Sequence, residues 1–252
     1  MDQSERLAAV ERLIADPPQI HRFAGSGQTP APGGVWLTDR ECYEFLASSC
    51  LPSARTLETD VGLSTVLFAL LSTSHTCVAP FQAEGDECIA YLDSRGIPRD
   101  RLSFHVGWSE DVLPRLEPTP LDLVFIDGGH AFPFPIIDWY YAGARLVTNG
   151  ILVVDDGQLP AVSEAFLQFL DRDRLWALIQ STHKWCPYRR LTHGQMKESW
   201  VEQHERGMFA RRLPPASRVG SGRFAADSCR AADTRSVPTR PFALPHHERH
   251  ED

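Results

Sequence analysis

Three carboxylates of this chain stand where chemistry is expected. Asp127 follows the near-continuously apolar stretch LDLVFI, and the pair Asp155 and Asp156 follows ILVV. An unpaired buried carboxylate is costly, so apolar strands that deliver Asp to their ends usually have a use for the charge. Three such oxygen donors facing one crevice suit a hard divalent cation such as magnesium, with water or substrate oxygens completing an octahedron. The plainer alternative is that one Asp caps a helix and another is solvated. His130 comes three residues after Asp127, past two glycines. A neutral imidazole there could take a proton from a hydroxyl near pH 7; a purely structural histidine is the competing reading.

Two more segments could meet a ligand. In LETDVGLST, Leu57–Thr65, a strand ends near Glu58, a tight turn follows, and a helix opens at Ser64 and Thr65. Backbone N–H groups at a helix start suit a carboxylate or phosphate, and Gly62 lets a ligand approach the main chain. A G-x-G-x-x-G fingerprint is absent, because Asp60 stands where its first glycine would, which argues against NAD or FAD. In GWSEDVLPRL, Gly107–Leu116, Trp108, Ser109 and Glu110 follow a strand and belong to the same sheet edge. Ser109 could equally be a helix cap.

These residues need a frame that carries strand ends to one place. Strands are expected at Thr56–Thr59, His75–Ala79, Leu102–Val106, Leu121–Ile126 and Ile151–Val154, with helices between them. Trp176–Ser181 and Met208–Arg212 are candidates for two late strands. Strands alternating with helices predict an α/β fold with a doubly wound, mostly parallel seven-stranded sheet. Ligands of such sheets bind outside the carboxyl ends of the strands. Residues 1–50 read as an N-terminal helical segment with a Pro/Gly-rich linker, and 51–212 as the principal domain. An insertion at about 182–205, rich in aromatic and polar residues, reads as a lid or an oligomer contact. Residues 213–252, Arg-rich with five Pro, no Lys and no apolar periodicity, read as a disordered tail.

Composition narrows the function. Hydrophobic residues are 42% of the 252, charged residues 23%, and the net charge is −8. That charge gives no general pull toward nucleic acid or anionic lipid. No apolar run approaches the roughly 20 residues of a membrane span. The N-terminus lacks a secretory pattern, so a cytoplasmic protein is expected. The six cysteines, at 42, 50, 77, 88, 186 and 229, form no C-x-x-C pair and read as free thiols.

In order and spacing, LETDVGLST, GWSEDVLPRL, VFIDGGHAF and ILVVDD together resemble the class I S-adenosylmethionine-dependent methyltransferases. The likeness covers roughly residues 50–182 and is greatest to the bacterial group labelled methyltransferase domain 24. A more distant similarity reaches the catechol-type and macrolide O-methyltransferases. The resemblance implies S-adenosylmethionine as cofactor, held by Glu58, Asp60, Gly62, Ser64, Thr65, Trp108, Ser109 and Asp127. It implies magnesium on Asp127, Asp155 and Asp156, with His130 as base. Two positions depart from the family. Ala79 stands where an acid often binds the ribose hydroxyls, unless Gln82 or Glu84 substitutes, and Asp60 replaces a glycine. The expected activity is O-methylation of a small hydroxylated acceptor, with magnesium assistance. The alternative is a weak or inactive cofactor-binding or interaction module. Nucleic-acid and membrane partners are not expected; a homo-oligomer is possible.

Overall fold

A computed structural model describes residues 1–21, 34–72 and 74–192, all within the unit Met1–His204. The expected strand Met208–Arg212, the tail 213–252 and Cys229 lie outside the described residues. The other five cysteines are free and buried.

Seven strands form one sheet. In chain order they are β1 (Arg55–Thr59), β2 (Ser74–Ala79), β3 (Leu102–Val106), β4 (Leu121–Ile126), β5 (Leu146–Val154), β6 (Trp176–Leu178) and β7 (Cys186–Arg190). Their order across the sheet is β3-β2-β1-β4-β5-β7-β6. The first five strands are parallel to one another, and β7 runs antiparallel between β5 and β6. The order reverses between β1 and β4, which is the switch point at which such sheets open a crevice.

Side-chain alternation explains why β4 is apolar from Leu123 to Ile126. Leu123 and Phe125 pack on one face with α3 (Leu63–Leu71) and α4 (Gln82–Ser94). Val124 and Ile126 pack on the other with Leu113, Ala142, Phe166 and Trp176. A strand covered on both faces favours apolar side chains along its covered length, and in β4 the next polar group after Asp122 is Asp127, just past its end.

The N-terminal segment is built into the first of these layers. Helix α1 (Gln3–Ala15) opens with a capping box between Asp2 and Glu5 and buries Val10 and Leu13. Helix α2 (Arg40–Ser49) buries Cys42, Tyr43 and Leu46 in the same core. Buried Arg6 donates to the carbonyls of Ala47 and Cys50, where α2 ends with its carbonyls unpaired.

The stretch read as a lid or oligomer contact contains β7, the last strand among the described residues, with Val153 of β5 opposite Pro187; its residues 193–205 lie outside the described residues. Trp185 and Tyr188, two of its aromatic residues, are 1% exposed. Tyr188 donates to Asp171 Oδ1 at 2.7 Å, and Arg190 lies over the Trp176 ring at 4.9 Å. Proline and two arginines in five residues hide a strand from any reading of apolar alternation. Among the described residues, no helix is long and apolar enough to cross a membrane.

Candidate active site

The carboxyl ends of β1, β2, β4 and β5 open on a cavity of about 690 Å³, lined by Thr59 of β1, Val78 of β2 and residues that follow β4 and β5. That volume lies in the range of small-molecule sites. Of the sequence candidates, Asp60, Gly62, Ser64, Trp108, Ser109, Asp127, His130, Asp155 and Asp156 line it.

Glu58 and Thr65 do not. Both are 0% exposed and face each other behind the cavity wall. Glu58 Oε1 accepts from the Thr65 hydroxyl and lies 2.9 Å from Nε2 of buried His75, whose Nδ1 meets Thr56 Oγ1 at 2.8 Å. Thr65 Oγ1 in turn accepts from the Gly62 N–H at 2.9 Å. The two residues assigned to the cofactor therefore hold the loop that faces it. Alternation accounts for this: Glu58 is the penultimate residue of β1 and points to the helix layer.

The loop after β1 departs from ordinary backbone geometry. Asp60 has φ 75°, a conformation that favours glycine. Its Oδ1 accepts from the Val61 N–H at 2.8 Å, the local bond that makes Asp tolerable there. Burial first, then Glu84 and Glu58 nearby, push its carboxyl up to about 7.

The three metal candidates are not gathered around one point. Asp155 is 3% exposed, and its Oδ1 accepts from the Thr38 hydroxyl at 2.7 Å. Asp127 lies beside it; burial and then the Asp155 charge raise its carboxyl well above the usual range, so it keeps a proton and offers it to Asp155. Asp156 turns away: its Oδ2 is 3.0 Å from His130 Nε2, and its Oδ1 accepts from Gln158. Burial lowers the His130 imidazole below its ordinary value, with Asp156 and Asp155 opposing. His130 is thus neutral near pH 7, donates from Nε2 to Asp156, and keeps Nδ1 as an acceptor. Among the described residues, the set of three whose ligand atoms all fall within 4.8 Å is instead His21, Asp60 and Glu84.

Past β3, Gly107 takes φ 150°, and a Cβ there would meet Val112 Cγ2 at 2.8 Å, so the turn requires glycine. Trp108 is 51% exposed and stands edge-on to Phe81 at 6.1 Å. Ser109 is the first residue of α5 (Ser109–Val112), not its cap. Behind it lies Asp138, wholly buried on α6 (Phe134–Ala142) and raised to about 6 by burial, with the hydroxyls of Ser109 and Thr59 favouring its charge.

Sequence reasoning missed His21, Thr38, Asp138 and Lys184. Asp138 had a signal, being a lone acid in the apolar helix FPIIDWYYA. The others come from the N-terminal segment and the turn before β7, where nothing local marks them. Lys184 lines the cavity and donates to the Leu37 carbonyl at 2.9 Å. The cavity wall carries five acids (Asp60, Glu84, Asp127, Asp155, Asp156) against this lysine, a field that suits a cationic ligand.

Residues 59–157 match the profile of a family described as a methyltransferase domain. The O-methyltransferase NovP is 14% identical with a TM-score of 0.59, over 75% of this chain and 100% of its own. A putative O-methyltransferase from Klebsiella pneumoniae is 15% identical with a TM-score of 0.53, over 75% and 90%. The O-methyltransferase TomG from Streptomyces achromogenes, solved with S-adenosylmethionine, is 17% identical with a TM-score of 0.52, over 76% and 90%. At such identities the likeness is one of fold. No curated protein sequence matches.

Proposed function

We propose that residues 59–157, which match a methyltransferase-domain profile, form a class I S-adenosylmethionine-dependent methyltransferase domain, and that the protein methylates an oxygen of a small hydroxylated acceptor. The acid-lined cavity at the strand ends carries this reading, since the donor is a sulfonium with an ammonium group. S-adenosylmethionine supplies the electrophilic methyl group when bound. Gly62, Ser64 and Asp127 line the part of the cavity nearest the start of α3, and Trp108 and Ser109 the part past β3.

His130 takes the acceptor's hydroxyl proton at Nδ1, while Asp156 holds the ring through Nε2 and stabilises the imidazolium. The acceptor lies between His130 and the exposed Trp36 and Leu37, which line the same cavity. Asp127 and Asp155 would hold magnesium in place of the proton between them, while Asp156 stays with His130. Such an ion would supply charge stabilisation to a developing alkoxide. The O-methyltransferase neighbours support the oxygen acceptor, and the acidic wall speaks against a nucleic-acid one.

Calorimetric titration with S-adenosylhomocysteine tests the donor, and transfer of a labelled methyl group to a panel of phenols and sugar alcohols tests the acceptor. Micromolar binding with turnover is the expected result. Binding without turnover on any hydroxylated acceptor would favour an interaction module built on a cofactor-binding fold, a reading that the strained Asp60 loop also supports.

A further inference from the structure

One buried acid stands outside the chemistry proposed above. Asp138 sits midway along α6, whose sequence FPIIDWYYA is otherwise uncharged, and it is 0% exposed. It stands behind the cavity wall, beside groups that line it. Thr59 ends β1, Ser109 opens α5 past β3, and Gly128 follows β4. The hydroxyls of Ser109 and Thr59 favour the charge of Asp138, and the Glu110 carboxylate opposes it. A Cβ on Gly128 would lie 3.0 Å from Thr59 Oγ1 and 3.4 Å from Asp138 Oδ2, so glycine is what admits this approach. The Gly128 N–H donates to Thr59 Oγ1 at 3.2 Å, which leaves the threonine's own proton to be given elsewhere.

Stability does not account for this acid. Neither oxygen has a close hydrogen bond, and a carboxylate buried in that state costs folding free energy that an apolar side chain would not. What the carboxylate supplies is polarity. Ionised, it accepts hydrogen bonds and donates none. A serine hydroxyl beside it is drawn to turn its proton inward, which leaves the serine oxygen as an acceptor for the cavity. The methyl donor carries an ammonium and an exocyclic amine, and each brings N–H groups that need acceptors.

We infer that Asp138 is a positioning residue of the donor site: steadied by Thr59, it orients the Ser109 hydroxyl so that the serine oxygen accepts from an N–H of the bound methyl donor. This rests on the methyl-donor reading above. Burial raises the Asp138 carboxyl to about 6, so it is ionised at pH 8 and largely protonated at pH 5. Protonated, or replaced by an amide, position 138 can donate, and Ser109 then turns its own proton into the cavity against that N–H.

The test is calorimetric titration of the full chain with S-adenosylhomocysteine, beside thermal melting. Asp138→Asn keeps the shape and removes the charge. At pH 8 it should melt no lower than the unmodified protein and bind the ligand about 10-fold more weakly. At pH 5 the gap between the two proteins should shrink to about 2-fold or less. Ser109→Ala should cost about as much as Asp138→Asn at pH 8. The double variant should lose no more than about 3-fold beyond either, because the acid acts through the hydroxyl. Asp138→Ala serves where melting shows the asparagine variant unfolded. Undiminished affinity in Asp138→Asn overturns the positioning role and leaves the donor reading standing. A double variant about 100-fold weaker overturns the route through Ser109. An equal loss at both pH values with a lowered melting temperature would make Asp138 a folding residue alone. No binding by the unmodified protein overturns the donor reading and this role together.

Discussion

His130 Nε2 lies 3.0 Å from Asp156 Oδ2, with 27% and 23% of the two side chains exposed. Asp156 reaches this position with φ 52°, a backbone conformation rare outside glycine, asparagine and aspartate. The carboxylate fixes which nitrogen carries the proton and so which one can accept. His130→Ala should lower kcat by about 10²–10⁴-fold. A base works only when neutral, so the rate should fall as pH drops through the imidazole pKa, which burial places below its ordinary 6.5. Asp156 opposes that lowering, so Asp156→Asn should move the acid limb to still lower pH. A pH–rate profile reads both effects; an unmoved limb would remove His130 from the proton path.

The Asp127–Asp155 pair gives a prediction for magnesium. A proton between two buried carboxyls must leave when a cation takes its place. Magnesium titration in two buffers of different ionisation enthalpy should report about one proton released per ion near neutral pH. Asp155→Asn should abolish that release while keeping an Oδ1 acceptor for the Thr38 hydroxyl. Heat without proton release would place the ion elsewhere.

Asp60 ties the donor loop to stability. Its carboxyl moves from an ordinary 3.8 to about 7 in the folded protein, and Glu84 from 4.5 to about 7. Between these limits the folded state holds protons that the unfolded chain has released. Stability should therefore fall as pH rises from about 4 to about 7. Asp60→Gly removes one of these carboxyls and the left-handed strain together. It should stabilise the protein by about 1–2 kcal/mol at pH 8 and by less at pH 4. Urea unfolding at the two pH values measures the difference; an equal gain at both would mean that strain alone matters.

What the sequence made legible follows from what each residue sees locally. Asp127, Asp155 and Asp156 were readable because they follow apolar stretches of strands buried on both faces. Glu58 looked like a member of the same set, yet it is one residue short of the strand end, and alternation turns it to the other side. His21, Thr38 and Lys184 were invisible because their roles depend on long-range packing. Thr38 meets Asp155 across 117 residues and Lys184 meets Leu37 across 147. Strand β7 was hidden by its composition: Pro187 interrupts it, and buried Arg190 has its guanidinium received by Trp176 and the Gly143 and Thr192 carbonyls, among others.

The misplaced Glu58 supplies the last prediction. His75, Glu58 and Thr65 form a buried polar chain ending on the Gly62 N–H, so they position the donor loop without touching the cavity. His75→Ala leaves Glu58, whose Oε2 already lacks a partner, with less to offset its charge. It also removes a ring packed 4.8 Å from that of Phe68. The combined loss should be about 3–5 kcal/mol in urea unfolding. Thr65→Val is the gentler change. It keeps the shape, breaks the link to Gly62, and should weaken S-adenosylhomocysteine by about 10-fold while costing about 1–3 kcal/mol of stability. Equal affinity in Thr65→Val and the unmodified protein would mean that Gly62 is held well enough by the opening turn of α3, and that the chain serves folding alone.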